Sequence, residues 1–239
     1  MDISIVVPAY NEERRLTPTL QGWAAWMDGV EESVELVVSD DGSRDGTAGL
    51  VEAAAAADPR IRLNRLPQNR GKGAAVRSGM LAATGDYRFY LDADMNIAPS
   101  HVAPALAMLR AGVADMVTGK RSLTTYAETE RSLSRLAAGA AVQVTRRGLL
   151  LPSIRDTQAG FKGFTAAWAE RVFRTATVDG FAFDIEILYL AKRMGARIVE
   201  MPVDVEFRDE STFDVSTHLR PFLSDIWQVR KNAWRGRYA

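Results

Sequence analysis

From Ile3 to Thr118 the chain alternates strand-like and helix-like segments without a break, and this alternation constrains the fold more than any other feature. Residues 3–7 form a short apolar run that stops at Pro8. A turn over 8–13 leads into a helical stretch reaching about Met27, where Leu16, Leu20, Trp23 and Met27 recur at helical spacing. Pro18 falls inside that pattern, so the regular helix is expected to begin near it. Strand-like runs follow at 34–39, 60–66, 87–91 and 115–118, separated by helical segments ending near Ala57, Gly85 and Ala111. Such alternation predicts an α/β fold, a mainly parallel central sheet with helices on both faces.

A parallel sheet would gather the polar loops 10–12, 40–43 and 92–94 on one edge, where open α/β sheets bind ligands. In the last of these, an aromatic and apolar run passes straight into Asp92 and Asp94. Carboxylates at i and i+2 on a regular strand face the same way. Two hard oxygen donors suit Mg²⁺ or Mn²⁺ shared with a phosphate; the same pair also suits a strand that simply stops at a polar turn. Asp41 suits a ring N–H of a base, or a cap on the next helix. Lys72 suits a phosphate or ribose, or open solvent. Gly71 and Gly73 lack the third glycine of the dinucleotide fingerprint, and no phosphate-loop sequence occurs.

Composition narrows the chemistry. The 30 basic residues balance the 30 acidic ones, so no global field points to nucleic acid. The absence of cysteine excludes disulfides, thiolate metal sites and a cysteine nucleophile, and suits a cytoplasmic protein. Two histidines, His101 and His218, argue against a histidine-based triad or zinc site. No basic n-region stands before the first strand, so no signal peptide is expected, and no apolar run reaches the length of a membrane span.

The second half is less regular. Residues 128–150 read as a helix carrying Arg131, Arg135, Arg146 and Arg147, and 154–162 as a loop or short strand. Helices are expected at 166–175 and 183–194, then a strand at 197–205 interrupted at Pro202. The tail 219–234 sets Phe222, Leu223, Ile226, Trp227, Val229 and Trp234 among Arg220, Arg230 and Lys231, with Arg235 and Arg237 just beyond. That pattern suits a helix at a membrane interface or one packed on the domain.

Four motifs stand in order: Val6-Val7-Pro8-Ala9-Tyr10-Asn11-Glu12, Asp40-Asp41-Gly42-Ser43-Arg44-Asp45-Gly46-Thr47, Asn69-Arg70-Gly71-Lys72-Gly73 and Asp92-Ala93-Asp94. Together they resemble the signature of family 2 glycosyltransferases with the GT-A fold. Gly119-Lys120-Arg121-Ser122, Arg155-Asp156-Thr157-Gln158-Ala159-Gly160-Phe161-Lys162 and Phe183-Asp184-Ile185-Glu186-Ile187-Leu188 resemble the polyprenyl-phosphate sugar synthases. Their wording is closer to dolichyl-phosphate glucosyltransferases than to mannose-phosphate synthases.

The resemblance implies one GT-A domain over 1–210, with a nucleotide-sugar half at 1–118 and an acceptor half at 119–210, then a loop and amphipathic helix at 211–239. It implies a metal-dependent, inverting transfer of glucose or mannose, from UDP-glucose or GDP-mannose, to a polyprenyl phosphate at a membrane surface. Such an enzyme would be cytoplasmic, or peripheral on the inner face of the membrane. Pro8, Tyr10, Glu12, Asp41, Lys72, Asp92, Ala93 and Asp94 would bind the nucleotide sugar. Asp92, Asp94 and Asn96 would hold Mg²⁺ or Mn²⁺, with Asp94 the principal ligand. Asp94, Arg121, Arg131 and Asp184 form the expected catalytic set. Arg131, Arg135, Gln158, Lys162 and Arg208 would meet the acceptor; Arg131 and Arg135 equally suit a solvated helix face. The loop after Arg208, Asp209-Glu210-Ser211-Thr212-Phe213, departs from the family pattern by being acidic. A phosphate acceptor needs little general-base help, whereas a hydroxyl acceptor would need a base, with Asp156 or Asp184 the first candidates. Two alternatives stay open: a soluble transferase acting on a small molecule, and a nucleotide-sugar-binding protein without turnover.

Overall fold

The computed structural model describes residues 1–121, 151, 153–205 and 215–238, with backbone alone for 215–220. Its seven-stranded sheet has the order β3-β2-β1-β4-β6-β5-β7. β1 spans Ile3–Ala9, β2 Val34–Asp40, β3 Ile61–Arg65, β4 Tyr87–Leu91, β5 Met116–Arg121, β6 Phe161–Thr165 and β7 Ile198–Val203. β1 pairs in parallel with β2 and β4, and β2 with β3. β1 and β2 are buried along their whole length, which matches the near-continuous apolar runs of strands covered on both faces.

Alternation along each strand sorts the core into two layers. Ile3, Ile5 and Val7 of β1 join Leu16, Leu20 and Trp23 of α1 (Leu16–Asp28), Val51 of α2 (Thr47–Ala57), and Leu106 and Leu109 of α4 (Val102–Arg110). Val6 and Tyr90 face the other way. They join Val76 and Met80 of α3 (Lys72–Ala82), Phe173 of α5 (Ala166–Thr175), Ile187 of α6 (Phe183–Arg193) and Ile226 of α7 (Val215–Trp234). A 3₁₀ turn at Pro99–His101 opens α4.

The expected α/β architecture is present, with three refinements. β6 runs antiparallel between β4 and β5, so these two strands are not neighbours. The segment 154–162, read as loop or strand, becomes strand only at Phe161. β7 passes through Pro202 without interruption because β7 is an edge strand, where a missing N–H leaves no neighbour unpaired. α1 begins at Leu16, with Pro18 in its first turn, where backbone N–H groups have no helical partner. The expected helix at 128–150, the 209–213 loop, and Arg131, Arg135 and Arg208 lie outside the described residues. Among the described residues no helix is long and apolar enough to cross a membrane.

Candidate active site

The first two motif loops are fastened to each other by hydrogen bonds. Asn11 N–H donates to Ser43 Oγ at 2.9 Å and Glu12 N–H to Thr47 Oγ1 at 2.8 Å. Arg44 N–H returns a bond to Asn11 Oδ1 at 3.0 Å, and Gly46 N–H one to Glu13 Oε2 at 3.1 Å. Most polar residues of these motifs therefore hold the loops rather than face a ligand. Arg15 grips the Glu12 carboxylate with two bonds of 2.8 and 2.7 Å. Burial raises the Glu12 pKa, and the nearby Asp94 charge adds to it, against the pull of Arg15. Pro8 is buried within β1, while Tyr10, just beyond it, is 40% exposed.

Asp41 is almost closed off from solvent. Its carboxylate accepts from Asn69 Nδ2 at 2.9 Å, Arg70 N–H at 2.9 Å and Gly71 N–H at 2.7 Å. It thus braces the start of α3, one helix later than the cap expected from sequence. Burial nevertheless raises its pKa, the neighbouring Asp40 charge contributing. Beside it a cleft opens between loop residues Gly42, Ser43 and Arg44 and the stretch from Leu66 to Asn69. Gly71 has φ +118°, and a Cβ there would lie 2.5 Å from the Asp179 carbonyl oxygen. Only glycine lets the helix start approach that turn so closely.

β4 ends at Leu91, so Asp92 and Asp94 sit in the turn after the strand rather than on it. The strand-alternation argument for their direction therefore does not apply. Met95, at φ +51°, closes the turn, and Thr19 Oγ1 secures it by donating to Ala93 O at 2.5 Å. Asp92 points inward to Lys72 Nζ at 2.6 Å. Asp94 is exposed and accepts from Asn96 N–H at 3.1 Å and Asn96 Nδ2 at 2.6 Å. Local burial and then the Asp92 charge raise the Asp94 pKa. Burial opposes the charge on Lys72, but Asp92, Asp184 and Asp94 outweigh it and raise its pKa, keeping it an ammonium.

Behind Lys72 lies a buried cluster. Lys162 is fully buried, with Nζ 2.6 Å from Asp184 Oδ1 and 2.8 Å from Ala159 O. Tyr90, opposite Lys162 in the β4–β6 register, donates its hydroxyl to the same Asp184 oxygen. Burial and the Asp184 charge push the Tyr90 pKa well above the usual range. Lys162 and Asp184, expected at the acceptor and the sugar, are thus paired with each other in the buried interior, with Tyr90 on the same Asp184 oxygen.

The second half of the chain brings Arg121 and Asp156 together. Arg121 holds Asp156 through Nε at 2.7 Å and Nη2 at 3.0 Å, and its own N–H adds a bond of 3.1 Å. Burial would raise the Asp156 pKa, but Arg121 overrides it and holds the carboxyl below its ordinary value. Asp156 is therefore a poor base, and Arg121 braces the 155–158 turn. Gln158 N–H bonds Asp156 Oδ1 at 3.1 Å, while its buried side-chain Nε2 has no hydrogen-bond partner among the described residues.

The family model for glycosyl transferase family 2 matches residues 4–174. The chain belongs to that family. A dolichyl-phosphate beta-glucosyltransferase of Dictyostelium discoideum is 35% identical over 248 residues, covering 99% of this chain and 74% of its own. The human protein of the same name is 31% identical over 219 residues, covering 84% of this chain and 66% of its own. A Mycobacterium tuberculosis glucosyl-3-phosphoglycerate synthase, crystallised with Mn²⁺, UDP-glucose and phosphoglyceric acid, superposes with a TM-score of 0.70. It is 21% identical and covers 96% of this chain and 80% of its own. That likeness supports the GT-A-type fold.

The donor set of this glycosyltransferase fits a divalent ion. Asp94 offers exposed hard oxygens beside a second carboxylate whose charge it already feels. Among the described residues no group of three His, Cys, Asp or Glu could enclose an ion, so a diphosphate would supply the remaining oxygens. Asn96, expected as a third ligand, donates its amide nitrogen to Asp94 at 2.6 Å. Three residues of the site went unnoticed in the sequence. Tyr90 reads as core within an apolar run. Asp179 binds Arg70 and Arg77 through its carboxylate, and Ala74 N–H at 3.2 Å through its carbonyl. Gly160 carries the one usable signal, a glycine just before a strand: a Cβ there would overlap the Asp92 carboxylate.

Proposed function

We propose that this glycosyltransferase moves glucose from UDP-glucose to a dolichyl-type polyprenyl phosphate. The observation that carries the reading is that the Asp41 loop and the Asp92–Asp94 turn follow the carboxyl ends of β2 and β4, the two parallel strands that flank β1. The names of the glucosyltransferase relatives support the lipid phosphate and the sugar. The UDP-glucose and Mn²⁺ in the M. tuberculosis neighbour support the choice of uridine over guanosine and the use of a metal.

In this reading Pro8, Tyr10 and Glu12 line the nucleoside pocket, with Asp41 at its floor. Asp94, seconded by Asp92, would hold Mg²⁺ or Mn²⁺, which would neutralise charge on the departing diphosphate. Lys72 adds a fixed positive charge beside that diphosphate. An acceptor phosphate oxygen, already anionic, forms the new bond to the anomeric carbon as the bond to UDP breaks, inverting that centre. No proton leaves the attacking oxygen, so neither Asp156 nor Asp184 has to act as a base. Gln158, Arg131, Arg135 and Arg208 are assigned to the acceptor phosphate, for which guanidinium forks are suited.

Thermal unfolding with UDP or GDP, each with and without Mn²⁺ or Mg²⁺, tests the donor half. A ligand at roughly a hundred times its dissociation constant stabilises the folded state by about 2.7 kcal/mol. UDP with metal is expected to give the largest shift. Glucose transfer to polyprenyl phosphate from UDP-glucose then tests the acceptor. A shift with GDP alone, or transfer only to water-soluble acceptors, would overturn the assignment.

A further inference from the structure

We propose that the outer face of α7, carrying Trp227, Arg230, Lys231 and Trp234, seats the enzyme on an anionic bilayer. The inner face of α7 is already used. Phe222, Ile226, Val229 and Ala233 are buried in the core layer shared with α6. Asn232 donates to Thr177 Oγ1 at 3.1 Å and Tyr238 Oη at 3.2 Å, and the Tyr238 hydroxyl donates to buried Glu186. The helix is therefore fixed to the domain by packing and by a polar network, and its outer face does not have to wait for folding.

That outer face is unlike the rest of the described surface. Trp227 and Trp234 are 52% and 62% exposed. One helical face carries both, seven residues apart, with ring centroids 5.5 Å apart edge to face. The Arg230 guanidinium lies 5.1 Å from the Trp234 ring centre. From Trp227 to Tyr238 the sequence holds Arg230, Lys231, Arg235 and Arg237 and no acidic residue, in a chain whose formal net charge is zero. Indole rings favour the boundary between headgroups and acyl chains, and clustered Arg and Lys are drawn to anionic headgroups. A lipid surface meets both demands at once, which is why the occupant is a bilayer.

The position of α7 suits delivery to the site. Asp225, two residues before Trp227, stands against Gly180, where a Cβ would come within 2.6 Å of its Oδ2. Gly180 follows Asp179, whose carbonyl accepts Ala74 N–H in the first turn of α3, next to Lys72. Three short steps thus tie the aromatic face to the helix start that carries the site's lysine. The purpose of the surface rests on the lipid-phosphate reading above, since a lipid-anchored acceptor has to meet the site at a bilayer.

The test is co-sedimentation of the whole protein, without donor or acceptor, with vesicles of phosphatidylcholine alone or with 30% phosphatidylglycerol. The wild type should partition onto the anionic vesicles, less so as salt rises, and weakly onto neutral ones. Trp227→Ala/Trp234→Ala and Lys231→Glu/Arg235→Glu should each lower partitioning about tenfold or more, with unchanged melting and unchanged transfer to a short-chain, water-soluble polyprenyl phosphate. No binding by the wild type, or equal binding by the tryptophan variant, overturns the proposal. So does a dimer in sedimentation velocity that the tryptophan variant breaks, because the face would then belong to a second copy. Transfer to the short-chain acceptor without vesicle binding would condemn this surface alone. Vesicle binding without any transfer would condemn the lipid-phosphate reading and leave the surface standing.

Discussion

The Lys162 ammonium lies 2.6 Å from the Asp184 carboxylate, with the two side chains 0% and 7% exposed. A buried pair of this kind is destabilising to break, because removing one partner leaves the other charged, dry and unpaired. Asp184 also reaches beyond Lys162, because its charge helps to raise the Lys72 pKa.

Lys162→Met should therefore act on stability first. Losing one member of a buried pair costs about 3–5 kcal/mol, which for a chain of this size lowers the melting temperature by roughly 10 °C. Lys162→Met with Asp184→Leu should recover most of that loss, since matched apolar side chains leave no orphan charge. Differential scanning calorimetry of the three proteins decides it. A single variant that melts with the wild type would show that the pair is not what holds β6 to α6.

The sequence made the frame of the fold legible because a parallel strand covered on both faces must be apolar throughout, as β1 and β2 are. It also placed the loops, since strand ends in such a sheet converge on one edge. It did not show β6: Phe161–Thr165 is short and buried, and nothing in its pattern says which way it runs or that it enters between β4 and β5. Side-chain partners were not legible, because Asp41 with Gly71, Lys162 with Asp184 and Arg121 with Asp156 meet only once separate elements pack together. The position of Asp92 and Asp94 at the end of β4 was legible, since the apolar run stops just before them.

Gly71→Ala should damage the donor site from outside it. At φ +118° an alanine is strained, and its Cβ would sit 2.5 Å from the Asp179 carbonyl oxygen. Strain of this kind costs on the order of 1–3 kcal/mol. If the turn yields, the Gly71 N–H that Asp41 accepts moves with it, along with Lys72. UDP affinity should then fall more than melting temperature suggests, and isothermal titration alongside thermal unfolding would show this. Unchanged UDP affinity would free the helix start from any part in donor binding.

The Arg121–Asp156 clamp should give a pH signature. The folded protein holds the Asp156 carboxyl below its ordinary value, because Arg121 outweighs the effect of burial. Its contribution to stability is therefore fully present above the unfolded value of about 3.9. That contribution is lost as pH falls through the lower, folded value. Asp156→Asn should destabilise the protein by about 2 kcal/mol at pH 7, with the gap to wild type closing below about pH 4. Melting curves from pH 7 to pH 3 test the sign. A gap that stays constant across that range would mean that shape, rather than charge, accounts for the loss.

Asp94→Ala should separate catalysis from folding. The side chain is exposed and, among the described residues, is bonded within its own turn, to Asn96 N–H and Nδ2. Its removal takes no volume from the core and relieves repulsion from Asp92, so stability should change by no more than about 0.5 kcal/mol. Turnover is another matter, because the variant loses the exposed oxygens best placed to hold a divalent ion against the diphosphate. A Lewis acid supplies several kcal/mol of charge stabilisation, and each 1.36 kcal/mol is about tenfold in rate. Turnover should fall by about a hundredfold or more, and extra Mn²⁺ should restore little of it. Asp92→Ala should behave differently: it strips Lys72 of its 2.6 Å partner and should weaken both melting and donor binding. Steady-state rates across a Mn²⁺ series, with melting curves for both variants, distinguish the two roles. Near-normal turnover of Asp94→Ala at saturating metal would remove Asp94 from the ion site and leave Asp92 to be tested in its place.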